Sequence, residues 1–176
     1  MRHTARVNEL AITVIGPDRT GIVADVAEAL SGLGANLTDS TMTRLRGHFA
    51  MTLVCTGPSA PDVERALTPL SSDGRLLATV REVQPEAETG ERGEPYLVSV
   101  HGADRLGIVA AVTRVVAAAD GNITDLTTRL VGPLYVLVAE VDVPPGAADD
   151  LSARLADAAG TLGVDITVRR ADPDVL

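Results

Sequence analysis

The chain has 176 residues, of which 45% are hydrophobic and 22% charged, with a formal net charge of −9. This excludes a disordered chain, and the acidity opposes direct binding to a phosphate backbone, since Arg169-Arg170 and Arg2, His3 and Arg6 are the nearest thing to a basic patch and are short. Phe49, Tyr96 and Tyr135 are the only aromatics, too few for a base-stacking surface, and the single cysteine, Cys55, excludes an internal disulfide or a cysteine metal cluster.

The elements follow in chain order from hydrophobic period. Leu10, Ile12 and Val14 alternate as in a half-buried strand. After the turn Gly16-Pro17-Asp18-Arg19-Thr20-Gly21, the residues Ile22, Val23, Val26, Leu30 and Leu33 form a helical stripe that Gly32 and Gly34 end. Residues 36–45 are rich in threonine and predict a partly buried strand. The pair Arg46-Gly47 predicts a hairpin into a third strand, residues 48–55, with Phe49, Met51, Leu53 and Cys55 on one face. A second helix follows Pro58, lined by Val63, Leu67 and Leu70, and residues 78–83 complete the unit as a strand. Residues 84–95 hold four Glu, two Gly and two Pro and no large apolar side chain, the composition of a linker.

The pattern then repeats. Residues 12–58 align without a gap on residues 98–144, 86 positions further on, with fourteen identical pairs. One identical cluster is Gly16, Asp18, Arg19, Gly21, Ile22, Val23 and Ala24 against Gly102, Asp104, Arg105, Gly107, Ile108, Val109 and Ala110. The other is Asn36, Thr38, Asp39 and Thr41 against Asn122, Thr124, Asp125 and Thr127. In the second copy Tyr96, Val98 and Val100 match the first strand, and Ile108, Val109, Val112, Val116 and Ala119 match the first helix, closed by Asp120-Gly121. Residues 122–131 and 134–142 flank Gly132-Pro133, Leu151, Leu155 and Ala158 line the second helix, and residues 166–171 form the last strand. The fold class is therefore α+β: two ferredoxin-like β-α-β-β-α-β domains in tandem, residues 7–83 and 96–171. Each has a four-stranded antiparallel sheet with both helices on one face. The other face, with Ala11, Ile15, Ala50 and Val54 in the first copy and Leu97, Val136 and Val138 in the second, is expected to be covered by a domain–domain or chain–chain contact, which predicts a homodimer or larger.

Gly21 and Gly107 leave room for a ligand to approach the backbone, and the helix start beside each favours a carboxylate. Asn36 and Asn122 open the next strand and offer both an acceptor and donors. Each has a plainer reading: Asp18 and Asp104 as helix caps, and the asparagines as residues that tolerate a left-handed turn. Asp39 and Asp125 read as solvated, Cys55 as packed, and His3, His48 and His101 have no spacing that makes them metal ligands. No nucleophile–base constellation, phosphate loop or dinucleotide fingerprint is present, so no catalytic residue and no cofactor is expected. Nothing in the chain predicts a signal peptide or a membrane span, which makes a cytoplasmic protein the expectation.

The Asp-Arg-X-Gly-Ile-Val turn, followed about fifteen residues later by Asn-Leu or Asn-Ile, resembles the ACT domain, a small regulatory module that binds amino acids. Two such domains as a whole chain resemble the family of the glycine cleavage system transcriptional repressor. The resemblance implies a non-catalytic regulator that senses a small amino acid such as glycine or serine and acts through a regulatory protein partner, without contacting nucleic acid or membrane. It implies a ligand between the first turn of one domain and the second strand of its neighbour. The residues concerned are Asp18, Arg19, Thr20, Gly21 and Ile22 with Asn36 and Leu37, and Asp104, Arg105, Leu106, Gly107 and Ile108 with Asn122 and Ile123. Thr20 against Leu106 makes the two sites unequal. A ligand-free interaction module and a detached regulatory subunit of an amino-acid enzyme are the alternative readings.

Overall fold

The computed structural model describes residues 9–84 and 93–171, and the chain divides into two units, Met1–Glu88 and Thr89–Leu176. The first holds β1 (Glu9–Pro17), α1 (Ile22–Ser31), β2 (Asn36–Leu45), β3 (His48–Thr56), α2 (Ala60–Ser71) and β4 (Leu77–Val83). The second repeats them as β5 (Glu94–Ala103), α3 (Ile108–Ala118), β6 (Asn122–Val131), β7 (Leu134–Val143), α4 (Ala148–Leu162) and β8 (Val164–Arg170). Both sheets are antiparallel, ordered β2-β3-β1-β4 and β6-β7-β5-β8. The threonine-rich strands β2 and β6 are therefore edges.

The period-2 pattern builds each core. Leu10, Ile12 and Val14 of β1 and Phe49, Met51, Leu53 and Cys55 of β3 are buried under Ile22, Val26 and Leu30 of α1 and Val63 and Leu67 of α2. The second core has the same plan, with Val98, Val100, Leu137, Ala139, Val141 and Val143 under Ile108, Val112, Val116, Leu151 and Leu155. The expected helical stripes are wider than the real ones. Val23 and Val109 are 43% and 38% exposed, because the buried line follows every fourth residue from Ile22 and Ile108, and the next position rotates outward. The linker expected at residues 84–95 ends earlier in the structure. β5 begins at Glu94, and the Pro95 carbonyl accepts the Ala171 N–H at 2.9 Å, so Glu94 and Pro95 belong to the strand, where a proline is tolerated near the start. Residues 85–92 of that stretch lie outside the described residues.

The face opposite the helices carries Ala11, Ile15, Ala50 and Val54, and in the second unit Leu97, Val136 and Val138, as the alternation requires. It is less apolar than those residues suggest. Thr41, Thr52, Thr13 and Thr79 stand in one row across the first sheet, and Asp125, Glu140, Leu97 and Arg169 across the second.

Two local devices shape the edges. In both β2 and β6 the register slips between the second and fourth residues, at Leu37/Asp39 and Ile123/Asp125, so the repeated Asn-X-Thr-Asp is a β-bulge. The Thr38 hydroxyl donates to the Val54 carbonyl at 3.3 Å across it. Arg46 and Gly47 both take positive φ, 48° and 82°, the backbone a tight two-residue hairpin requires.

Helix α2 starts on Ser59, whose hydroxyl accepts the Asp62 N–H and donates to the Asp62 carboxylate at 2.6 Å. Replacing this cap by alanine is expected to lower stability by about 1 kcal/mol. The Ser59 hydrogen bond, then the Arg65 guanidinium, hold the Asp62 carboxyl below its ordinary value of 3.8. A depressed folded-state value contributes stability that is complete above the unfolded value and is lost as pH falls through the folded one. Ser59→Ala should thus reduce the difference in stability between neutral pH and pH below about 3.8, read from urea curves at both.

Candidate functional site

At the end of β1 the chain turns through Asp18, Arg19 and Thr20 and enters α1 at Gly21, with φ 90° and ψ −3°. That left-handed conformation is why glycine stands there. The first intrahelical bond runs from the Asp25 N–H to the Gly21 carbonyl at 2.9 Å, and no side chain caps the helix. The N–H groups of Ile22, Val23 and Ala24 lie ahead of that bond, at the positive end of the helix dipole. The second unit repeats this: Gly107 has φ 88° and ψ 2°, Ala111 N–H bonds to its carbonyl at 2.9 Å, and no side chain caps α3.

The aspartates are not caps. Asp18 donates its N–H to the Gly47 carbonyl at 2.9 Å, and its carboxylate lies 3.5 Å from Arg44 on β2. The reason is spacing: Gly21, three residues later, already occupies the cap position. Arg19 reaches the other way, to Asp25 at 2.6 Å and to the Thr20 carbonyl at 3.1 Å. Counting 86 residues on, the positions of Asp25 and Arg44 hold Ala111 and Leu130, so neither ion pair exists in the second unit. There Arg105 lies against the opposite corner, its guanidinium 3.4 Å from where a Cβ on Gly163 would sit. Ile22 and Ile108 are 2% exposed, so only their backbone N–H groups face outward, and Ile123 packs against the second core. Thr20, Leu37 and Leu106 are exposed.

Asn36 and Asn122 are exposed first residues of the edge strands, paired with Thr56 and Asp142. Within its own unit neither meets the turn. Thr56 pairs with Glu9 at the start of β1, whereas the turn follows Pro17 at its end. Eight residues at about 3.3 Å each separate the two, roughly 26 Å. Turn and asparagine thus lie apart within one domain, because α1 carries the chain back along the full length of the sheet before β2 begins.

Residues 8–84 and 94–169 each match the family model of the ACT domain. The chain belongs to the ACT-domain family. A UPF0237 protein of Streptococcus mutans is 36% identical over 76 residues, spanning 43% of this chain and 86% of that protein. One from Methanocaldococcus jannaschii is 35% identical over 78 residues, 43% of this chain and 87% of that protein. Solved structures with this fold over both ACT domains include the following two. A Galdieria sulphuraria protein of unknown function has a TM-score of 0.82 at 28% identity, over 94% of this chain and 99% of its own. A protein provisionally named a glycine cleavage system transcriptional repressor has a TM-score of 0.74 at 20% identity, over 96% and 99%, a likeness of fold.

Burial pushes the Cys55 thiol above its ordinary value, in keeping with a packed side chain. Among the described residues no three His, Cys, Asp or Glu side chains are placed to hold a metal ion, and no helix is long and apolar enough to cross a membrane. Sequence reasoning missed Asp25 and Arg44, the partners of Arg19 and Asp18. Asp25 was accessible to it, standing six residues after Arg19 on the exposed side of α1, where the first copy differs from the second.

Proposed function

We propose that this ACT protein is a non-catalytic cytoplasmic regulator that binds a small amino acid, glycine or serine foremost, and passes the signal to a protein partner. The observation that carries the reading is the pair of uncapped, glycine-entered helix starts, repeated at the same place in both domains. The ligand carboxylate accepts from the N–H groups that follow Gly21 or Gly107. Its ammonium donates to the side-chain oxygen of Asn36 or Asn122.

Since turn and asparagine lie at opposite ends of one sheet, the asparagine must come from a neighbour, here a second copy of the chain. The positions of β2 and β6 at the edges of their sheets suit this. A second edge strand laid antiparallel along either one reverses its ends and carries its asparagine to the turn end of the first domain. Asp18, Arg19, Thr20 and Leu37, with Asp104, Arg105, Leu106 and Ile123, line the two sites, and the Thr20 hydroxyl gives the first a polar contact that Leu106 cannot. The shared fold with the provisionally named glycine cleavage repressor supports glycine and a transcriptional readout. A net charge of −9 makes that readout indirect, through protein and not through DNA.

Calorimetric titration of the full chain with each of the twenty amino acids, with sedimentation on the same samples, tests this. Saturable binding of glycine, serine or a similar small amino acid by a dimer or larger assembly is the expected result. A folded protein that stays monomeric, or that binds none of the twenty, would end the sensor reading and leave an interaction module.

A further inference from the structure

We infer that the first ACT domain has a second ligand site, beside the turn and sharing Arg19 with it, in a cleft at the C-terminal end of α2 that takes an α-amino acid as its zwitterion. The ligand class rests on the amino-acid reading above; the place does not. The cleft holds about 200 Å³, room for a small or medium amino acid, and its walls include Pro17, Arg19, Leu70, Asp73, Arg75 and Leu76.

Those residues offer the three things a zwitterion needs. Arg75 and Arg19 supply guanidinium groups for the carboxylate. Among the described residues no carboxylate lies within ion-pair distance of Arg75, whereas Arg19 is held by Asp25 at 2.6 Å and so presents a fixed edge. The ammonium has the Asp73 carboxylate, with the negative end of the α2 dipole behind it; the Thr68, Pro69 and Ser71 carbonyls already accept from Ser71, Ser72 and Gly74. One oxygen of Asp73 accepts the Arg75 N–H at 2.9 Å, which sets the loop and leaves the other oxygen to the ligand. Pro17, Leu70 and Leu76 give an apolar wall for a side chain.

The cleft exists because the two domains close this corner differently. α2 contains Pro69 and stops at Ser71 after 12 residues, so a loop, residues 72–76, leads to β4. That loop sits directly on β1: a Cβ on Gly16 would be 2.3 Å from the Arg75 carbonyl oxygen. α4 runs for 15 residues and joins β8 through Gly163 alone. There Arg105, the counterpart of Arg19, lies over Gly163 and occupies the corner. A second cleft of the first domain, between α2 and β4, is lined by Glu64 and apolar or hydroxyl residues and has no cation for a carboxylate.

The test is a titration of the 15N-labelled full chain with the twenty amino acids, followed by amide shifts, on the parent and on Arg75→Ala and Asp73→Asn. The expected result is that at least one amino acid shifts the amides of Ser72, Asp73, Gly74, Arg75 and Leu76 together with Arg19. Arg75→Ala should weaken that response about tenfold, the value of a lost charge-assisted hydrogen bond pair, and Asp73→Asn should weaken it with amino acids more than with acetate. Shifts confined to Gly21, Ile22, Val23 and Asn36, or a cleft response unchanged by Arg75→Ala in a folded protein, would overturn this site while leaving the turn site standing. Silence at both places overturns both.

Discussion

Phe49→Ala is expected to cost the first domain about 3–5 kcal/mol, the largest single loss in the molecule. Phe49 is 1% exposed and heads the fully buried side chains by volume. It sits on β3 within the core that β1 and β3 form with α1 and α2. Domains of this size hold only about 5–15 kcal/mol in total, and small ones sit at the low end. The variant should therefore populate an unfolded first domain at modest urea. The counterpart position in the second copy holds Tyr135, partly buried, so its domain keeps its own transition. Urea curves followed residue by residue in NMR check this. A loss under about 1 kcal/mol would mean that Phe49 is not the packed centre described here.

Gly21→Val and Gly107→Val should each destabilise their helix starts and abolish binding at the adjoining turn. The cause of the instability is torsional. At φ 90° and 88° a β-branched residue is strained, by about 1–2 kcal/mol or more. Space is not the cause, since a Cβ at Gly21 meets only the Arg19 Nη1 at 3.8 Å and one at Gly107 meets nothing within 4 Å. Loss of ligand and loss of fold are separated by Gly21→Asn and Gly107→Asn. Asparagine tolerates the left-handed region, so these variants should keep most of their stability, yet they place a side chain where the ligand approaches. A drop in affinity of at least about tenfold with nearly unchanged stability is the expected outcome in calorimetry and thermal unfolding. Asparagine variants that bind as the parent does would remove the turn from the site.

The order β-α-β-β-α-β, the duplication and the cores of both domains were legible in the chain because each rests on local spacing. Leu10, Ile12 and Val14 alternate whatever packs on them, and Ile22, Val26 and Leu30 recur at the helical period. The glycines of the two turns were legible for the same reason, since a left-handed residue is a local demand. What the second repeated cluster meant was not. Asn36 and Asn122 carry amide groups suited to a ligand, but the Asn-X-Thr-Asp around each forms a β-bulge on an edge strand, a feature that exists only once β3 or β7 is paired beside it.

Tertiary structure alone decided the rest. Asp18 and Arg19 are neighbours in sequence, but one turns to Arg44 on β2 and the other to Asp25 on α1, and the second domain has no such partners. Asn36 follows Gly21 by fifteen residues and yet lies at the far end of the sheet, because a helix returns the chain along its own strand. The α2 cleft joins Pro17 and Arg19 to Arg75, more than fifty residues on, where α2 ends at Ser71. Spacing along the chain determines which residues share a face of one element. Which faces, ends and charges then meet depends on how the elements pack, and that is where these sites are made.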